Sequence, residues 1–254
     1  MAGSFAAEIS ARAREQGAIP TLPCQVLGVA TNYDFHALGE TRNHVCLVAE
    51  GLVGSFAQTM DGRRQIFALH IPGDVADLYS LVEQQPITGL QALTDTRIIS
   101  IHHAALQTLL RRYPQIARAL WRDCVVEASI LSTWMLNLGC RTGAARLAHL
   151  FCELAIRSAL VGRASAMCFE LPARQHHLAE CTGMTLVHLN RMLIDLRRRG
   201  LLRTWSRMVQ ILDWRALVEI AEFDANYLQL PATTLAQAFH ALNHPADPAA
   251  GDKM

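Results

Sequence analysis

The sequence predicts an α+β chain: a sandwich or barrel of short strands, then a long helix, then a helix-turn-helix with a two-strand wing. Three observations predict this. Between about Leu22 and His103, short apolar runs alternate with turn residues, the texture of several short strands. From Ala104 to Leu138 there is no glycine and only Pro114, and apolar residues recur at helical spacing. In the stretch AECTGMTLVHLNRML (179–193) a glycine interrupts a helical pattern, and three side chains rich in hydrogen-bonding groups follow it: His188, Asn190 and Arg191.

Composition bounds the answer. The chain has 254 residues, enough for one large domain or two modest ones. It is 51% hydrophobic and 18% charged, so it can bury a core and is not a disordered protein. No apolar run reaches membrane-spanning length, and the first residues lack a charged start followed by an apolar run. A cytoplasmic protein with no membrane partner is therefore expected. The seven cysteines are odd in number, and the closest two stand twelve positions apart. That spacing argues against a disulfide framework and against a local zinc or iron–sulfur site, so no metal and no cofactor are expected. The net charge of +1 hides an asymmetry. Residues 174–215 carry 8 Arg against Glu180, Asp195 and Asp213, while residues 216–254 carry Lys253 against five acids. Positive charge gathered in one segment is the footprint of a phosphate-binding surface; the plainer reading is a solvated helix face.

The elements follow in order. Residues 1–20 are read as an N-terminal extension and residues 21–103 as the β domain. Within it, Met60–Arg64 (MDGRR) predicts a tight two-residue hairpin, because Asp-Gly supplies positive φ, and Pro72-Gly73-Asp74 predicts another turn. Residues 104–138 are read as one long helix ended by Gly139. Beyond Pro114 its stripe is Ile116, Leu120, Cys124, Ala128, Leu131, Met135 and Leu138. The near-heptad spacing favours a second copy of the chain as the partner of this stripe over its own β domain. Residues 139–230 are read as one domain: a helix from Gly143 to Leu160, a strand MCFELP, two helices, a wing of LLRTW and MVQILD, and a last helix Trp214–Tyr227. Residues 231–254 are read as a tail whose last dozen residues are disordered.

The interrupted stretch has the offsets of a helix-turn-helix. A small residue is needed where the helices cross, a glycine four later in the turn, and an apolar residue six after that. Ala179, Gly183 and Leu189 meet those offsets, and Thr185 is placed to cap the second helix. On a helical wheel Leu186, Leu189, Leu193 and Leu196 face inward. Val187, His188, Arg191, Ile194, Asp195 and Arg198 face outward, with Asn190 at the edge. An outward Val and Ile suit a face pressed into the major groove, where they can meet thymine methyls. Arg191 can hold guanine bidentately, His188 or Asn190 can read a neighbouring base or hold a phosphate, and Arg197–Arg199 suit nearby phosphates. Double-stranded DNA is thus the expected partner.

Three stretches together carry a family likeness: DGRRQIFALHIPGD (61–74), RTGAARLAHLFCELA (141–155) and LPARQHHLAECTGMTLVHLNRMLIDLRRRGLL (171–202). With the layout, which covers about residues 21–230, they make the chain resemble the Crp/Fnr family of bacterial transcription regulators. MTLVHLNR looks like the subgroup common in alphaproteobacteria. The resemblance implies a cyclic-nucleotide-binding-like β-roll (a jelly roll), a dimerisation helix and a C-terminal winged helix-turn-helix. It implies a homodimer on a near-palindromic site, two recognition helices entering major grooves roughly one helical turn apart, and RNA polymerase as a further partner.

Departures from the family pattern shape the rest. In members that bind cyclic AMP, a glutamate holds the ribose and an Arg-Ser pair holds the cyclic phosphate. Counting from Gly73-Asp74, those positions are Leu78 and Ile87-Thr88. Asp74, Leu78, Ile87 and Thr88 are therefore the effector-pocket candidates, and cyclic AMP is not expected there, since a buried phosphate without a cation is costly. Of the N-terminal cysteines an Fnr-type iron–sulfur cluster needs, only Cys24 and Cys46 lie nearby. The recognition pattern Arg-Glu-x-x-x-Arg becomes Leu186, Val187 and Arg191, so Arg191 is kept and the target differs. Gln175 and His176, at the start of the first helix, become candidates for contacts to the DNA backbone.

The other conspicuous side chains have plain readings. His36, His44 and His70 could ligate haem or a metal in a sensor pocket, but no spacing supports it, so they read as scattered, satisfied histidines. His176 and His177, which as helix neighbours point in different directions, read as one phosphate contact beside one solvated ring rather than metal ligands, and His102-His103 as a polar corner. Trp121 and Trp134 read as packing residues. No nucleophile stands beside a base, so no enzyme is expected. The alternatives are a regulator that needs no ligand or answers to thiol or haem redox chemistry, and a sensor or adaptor that reuses the β-roll without binding DNA.

Overall fold

The computed structural model describes residues 22–86 and 88–244. The N-terminal extension (1–20), Ile87 and the last ten residues of the tail lie outside the described residues.

The β domain is two facing antiparallel sheets. Its strands are β1 (Cys24–Val29), β2 (Asp34–His36), β3 (His44–Glu50), β4 (Val53–Gln58), β5 (Arg64–His70), β6 (Gly89–Ala92) and β7 (Thr96–His102). One sheet runs β1-β7-β3 and the other β2-β6-β4-β5, which leaves β5 on an edge. Val48, Val53, Ala76 and Leu90 pack between them. The β4–β5 hairpin is wider than MDGRR suggests. Gln58 pairs with Arg64, the Thr59 amide donates to Arg63, and the Gly62 amide donates to Thr59. Only Gly62 has positive φ (+86°), so the connection is a three-residue loop closed by a glycine bulge. The Pro72-Gly73-Asp74 turn is as expected: Gly73 takes φ +101°, and its amide donates to Val48 of β3.

The long helix is two helices, α1 (His103–Arg112) and α2 (Pro114–Cys140). Tyr113, with ψ 81°, breaks the run because the residue before a proline avoids the helical region. Gly139 does not end α2, which runs one residue further to Cys140. The predicted stripe divides. Leu120 is buried against Val45, Leu78, Ile101, Leu106 and Leu109 of this chain's own β domain and α1, with Ile116 and Cys124 packed beside it. Those three thus face inward rather than toward a second copy. The exposed apolar line lies one step round the helix: Trp121 (69% exposed), Val125, Ala128, Ser132, Met135 and Gly139, at spacings of 4, 3, 4, 3 and 4. Only Ala128 and Met135 of the predicted set lie on it, Leu131 lines a cavity, and Trp121 is not a packing residue within the chain.

The C-terminal unit comprises α3 (Gly143–Leu160), β8 (Ala164–Ser165), β9 (Cys168–Glu170), α4 (Gln175–Thr182), α5 (Leu186–Arg198), β10 (Leu202–Trp205), β11 (Met208–Ile211), α6 (Trp214–Ala221) and α7 (Ala232–Asn243). Its sheet order is β10-β11-β9-β8. Helix α3 is buried along nearly its whole length and is the axle of this unit. The last predicted helix stops early, at Ala221, where Glu222 turns left-handed. The tail reading is corrected more strongly. Residues 232–243 form α7, whose Ala238 and Leu242 are buried in the core, with Leu235 and Phe239 packed against it. Those four positions keep helical spacing, which the Ala- and Pro-rich surroundings hide.

One core joins the two units. Leu52, Phe56, Ile66, Leu69 and Leu93 of the β domain meet Trp134 of α2 and the apolar side of α3 in a single cluster. A buried polar network crosses it. Arg157 of α3 donates to Asp74 Oδ2 (2.8 Å), Glu153 Oε1 (3.0 Å) and the Leu69 carbonyl (2.7 Å). Glu153 Oε2 in turn accepts from Trp134 Nε1 (3.0 Å) and the Tyr227 hydroxyl (2.8 Å). Burial opposes the Arg157 charge, but the carboxylates of Asp74 and Glu153 outweigh it and raise its pKa. Beside this network lies a cavity of about 160 Å³, lined by Asp74, Leu78, Glu127, Leu131, Glu153 and Arg157 among others.

Two predictions follow from this network. Arg157→Ala leaves two carboxylates facing an apolar junction without their cation; it should lower unfolding free energy by about 3–5 kcal/mol in urea titrations. Glu127 is the second case: burial, then Asp74, raises its carboxyl from 4.5 to about 7. The fold therefore favours the protonated acid, and this stabilisation is full below 4.5 and lost as pH rises through about 7. Glu127→Gln should leave thermal stability nearly unchanged at about pH 4.5 and raise it at about pH 8, by of order 1 kcal/mol.

Candidate nucleic-acid interface

Helices α4 and α5 form the helix-turn-helix on the predicted residues. Ala179 (5% exposed) and Leu189 (0%) are buried at the crossing, and Gly183 turns between them at φ +61°. A Cβ at Gly183 would stand 3.0 Å from Leu138 Cδ2, so close approach as well as the left-handed turn requires glycine. The Thr185 hydroxyl accepts from the His188 amide (3.2 Å) and caps α5. At the start of α4, His177 Nδ1 reaches back to accept the Arg174 amide (3.3 Å).

The outer face of α5 is as expected in its main line. Val187 (81% exposed), Arg191, Ile194 and Arg198 form an exposed row at spacings of 4, 3 and 4, while Leu189, Leu193 and Leu196 are buried beneath. Asn190 is half-buried at the edge of this row. Two placements differ. Leu186 is 46% exposed rather than inward, because it begins the helix before the crossing closes over it. His188 turns toward α3: a Cβ on Gly143 would lie 2.9 Å from its Nε2, so its ring stands against the start of α3 instead of the open face.

Gln175 and His176 are exposed at the first turn of α4. His177 is not solvated: it is buried, its Nε2 lies 3.1 Å from Asn32 Oδ1, and burial lowers its pKa to about 4. It belongs to a seam that holds α4 on the β domain. Gln65 of β5 donates to the carbonyls of Glu180 (2.5 Å) and Cys181 (3.1 Å), and Arg146 donates to the Thr182 carbonyl (2.9 Å).

All eight arginines of residues 174–215 are exposed. Arg199 pairs with Asp195 at 3.6 Å, and Arg197 bonds the Thr204 hydroxyl. The wing adds Arg203 and Arg207, which the sequence reading counted as charge but did not name as site residues, and the half-exposed Trp205. The signal for them was the basic-aromatic run LRTWSR on a two-strand hairpin. Together α4, α5 and the wing present cations, an apolar row and hydrogen-bonding groups on exposed helix faces and one strand pair. That combination suits a charged, grooved polymer rather than a small molecule.

The effector-pocket candidates are dispersed. Asp74 and Leu78 line the cavity at the junction. Thr88 lies apart from them: its hydroxyl bonds Tyr79 (2.7 Å), and its carbonyl accepts from Arg42 (2.5 Å). Ile87 lies outside the described residues. Arg42, which sequence reading missed, is 1% exposed and also stands 3.8 Å from Asp77 and 3.4 Å from the Tyr79 hydroxyl. Burial raises the Asp77 carboxyl to about 6. Nothing in spacing announced that an arginine in the β2–β3 loop would fold inward.

Comparisons with known proteins match this layout. Residues 35–113 match the model of a cyclic nucleotide-binding domain, and residues 145–220 match that of a Crp-like helix-turn-helix domain. The chain is 27% identical over 193 residues to the transcriptional activator protein FnrL of Cereibacter sphaeroides, covering 74% of this chain and 77% of the relative. It is 27% identical over 218 residues to the nitrogen fixation regulation protein FixK of Azorhizobium caulinodans, covering 85% and 86%. The solved structure of FixK2 from Bradyrhizobium japonicum superposes with a TM-score of 0.73 at 26% identity, covering 80% of this chain and all of that one.

Proposed function

We propose that this chain, which belongs to the Crp/Fnr family of DNA-binding transcription regulators, acts in the cytoplasm as a homodimer on a near-palindromic duplex site without cyclic AMP. The single observation that carries the DNA reading is the exposed row Val187, Arg191, Ile194 and Arg198 on a helix buttressed by three buried leucines. Arg191 reads a guanine edge, Val187 and Ile194 meet thymine methyls, and Asn190 reads an adjacent base. Gln175, His176, Thr185, Arg198, Arg203 and Arg207 hold the phosphate backbone and set the register. RNA polymerase is the further partner of a regulator so placed, and no membrane is involved. No helix among the described residues is long and apolar enough to cross one.

The dimer reading rests on the exposed line of α2. Trp121, Val125, Ala128, Ser132, Met135 and Gly139 supply a seam with heptad spacing on a helix of 27 residues, which needs a partner for an apolar face this long. The reading that excludes cyclic AMP rests on Arg42. Its buried guanidinium is committed to Asp77, Tyr79 and the Thr88 carbonyl, and Leu78 is buried in the core. A buried acid beside that cation disfavours a second anion there.

Selection of binding sites from a pool of random duplexes, with and without cyclic AMP, tests the whole reading. The expected result is the same inverted repeat in both arms. Enrichment that requires cyclic AMP overturns the effector reading, and no enrichment even with cell extract added overturns the DNA reading. On the selected site Arg191→Ala should cost about 1–3 kcal/mol and relax one base position in each half-site. Uniform weakening across sequences would assign Arg191 to phosphate instead. Val125→Glu should sediment as a monomer and bind the repeat about 100-fold more weakly or worse, since each half-site then binds alone.

A further inference from the structure

The loop between β2 and β3 returns the chain so that His36, at the end of one strand, faces His44 and Cys46 of the next. His44 and Cys46 are two apart on β3 and so share a face. His36 Nε2 lies 3.5 Å from Cys46 Sγ, and the His36 and His44 rings are 5.2 Å apart between centroids. One donor atom from each of the three side chains lies within 4.8 Å of the others. In a tetrahedral zinc site, with Zn–N near 2.0–2.1 Å and Zn–S near 2.3 Å, donor atoms stand roughly 3.3–3.7 Å apart. The His36–Cys46 edge already has that length. His44 is half-buried at the open side of the site, with its donor atom within 4.8 Å of the other two.

The second observation is an unsatisfied nitrogen. His36 is 5% exposed, and its Nδ1 has no hydrogen-bond partner among the described residues; Glu40 Oε2 stands 3.6 Å away. Its Nε2 meets only a thiol, a weak donor and a weak acceptor. A buried imidazole held this way is costly. A cation at Nε2 resolves it, because the proton then resides on Nδ1 and points at the Glu40 carboxylate, the usual arrangement behind a metal-bound histidine. His44 is arranged alike: its Nδ1 bonds Asn43 Oδ1 (2.8 Å), which leaves Nε2 free.

We propose that His36, His44 and Cys46 form a binding site for one divalent ion of the zinc class. Two imidazoles and one thiolate are the donor set for zinc rather than magnesium or calcium, and three protein ligands leave a fourth position for water. The ion displaces the thiol proton on binding. The site also adjoins α1, the helix that precedes the one carrying the exposed seam: the Asn43 carbonyl, next to His44, accepts the amide of His103 (2.8 Å) at the start of α1. This assignment is independent of the DNA reading.

The test uses untagged full-length protein stripped of metal by a chelator. It is titrated with Co²⁺ and then with Zn²⁺ in competition. The expected result is one ion per chain, with a near-ultraviolet thiolate-to-cobalt band and the visible bands of a tetrahedral site, both abolished by Zn²⁺. Cys46→Ser should remove the thiolate band and weaken binding roughly 100-fold or more. His44→Ala, at the half-exposed side of the site, should do the same to the visible bands without disturbing the fold by near-ultraviolet circular dichroism. Glu40→Gln should weaken binding about 10–100-fold with the band retained. The stacked pair His240 and His244, 4.1 Å apart between ring centroids, is the obvious competitor. His240→Ala with His244→Ala should change nothing. Absence of stoichiometric binding, a thiolate band that survives Cys46→Ser, or binding that disappears with His240 and His244 overturns the proposal.

Discussion

The molecule depends on one buried cation. Arg157 stands on the axle helix of the C-terminal unit, yet two of its bonds, to Asp74 and to Leu69, end on the β domain. A guanidinium in such a place is tolerated only with its charge compensated and its fork of donors filled. Glu153 completes that compensation and extends it, because its second oxygen gathers Trp134 from α2 and Tyr227 from the far side of the C-terminal unit. One carboxylate thus connects three parts of the chain. Apolar packing around Trp134 supplies most of the cohesion. The polar network supplies direction, since a slide of one unit over the other would part these charges from the partners that compensate them.

This constraint fixes how the recognition face is presented. Helix α4 is held on edge strand β5 through Gln65 and on the β1–β2 turn through Asn32. A bare edge strand is a liability, and here a helix covers it. The recognition helix α5 makes none of those contacts and keeps its outer row open. A rearrangement of the β domain would therefore be passed to α4 through a seam of few hydrogen bonds, and to α3 through Arg157. Such a junction can hold two alternative packings whose balance a bound species shifts. Glu127 and Asp74 line the cavity at this junction, and burial there raises the Glu127 carboxyl.

Legibility in the sequence followed the range of the interactions. Gly183, Thr185, Leu189 and Arg191 could be read because a helix-turn-helix is local: its turn, its cap and its crossing all fall within a dozen residues. Most strands of the β domain were legible for the same reason; the short strand β6 was not, nor was the loop length at Met60–Arg64, where the choice rests on the bulge at Gly62. Helix α2 was legible as a helix but not in its facing. Two apolar stripes lie one residue apart on it, and heptad spacing fits both Leu120 and Trp121. Helix α7 was masked by its alanine-rich composition, although Leu235, Ala238, Phe239 and Leu242 carry the period.

What the sequence determined by itself, helix α7 and the break at Tyr113 aside, is the kind and order of most elements and the outward row of the recognition helix. These follow from backbone preferences and periodicity over short spans. Tertiary structure alone decided the partners: that Leu120 faces the β domain and Trp121 does not, that His188 leans on Gly143, and that Arg42 turns inward. It alone brought Arg157 to Asp74, 83 positions away. It also made a cluster of His36, His44 and Cys46, which the sequence offers only as scattered histidines and a cysteine. The reason is physical. Such contacts are set by how two sheets and a helix stack, and side-chain pattern along one element does not encode which surface of another will meet it.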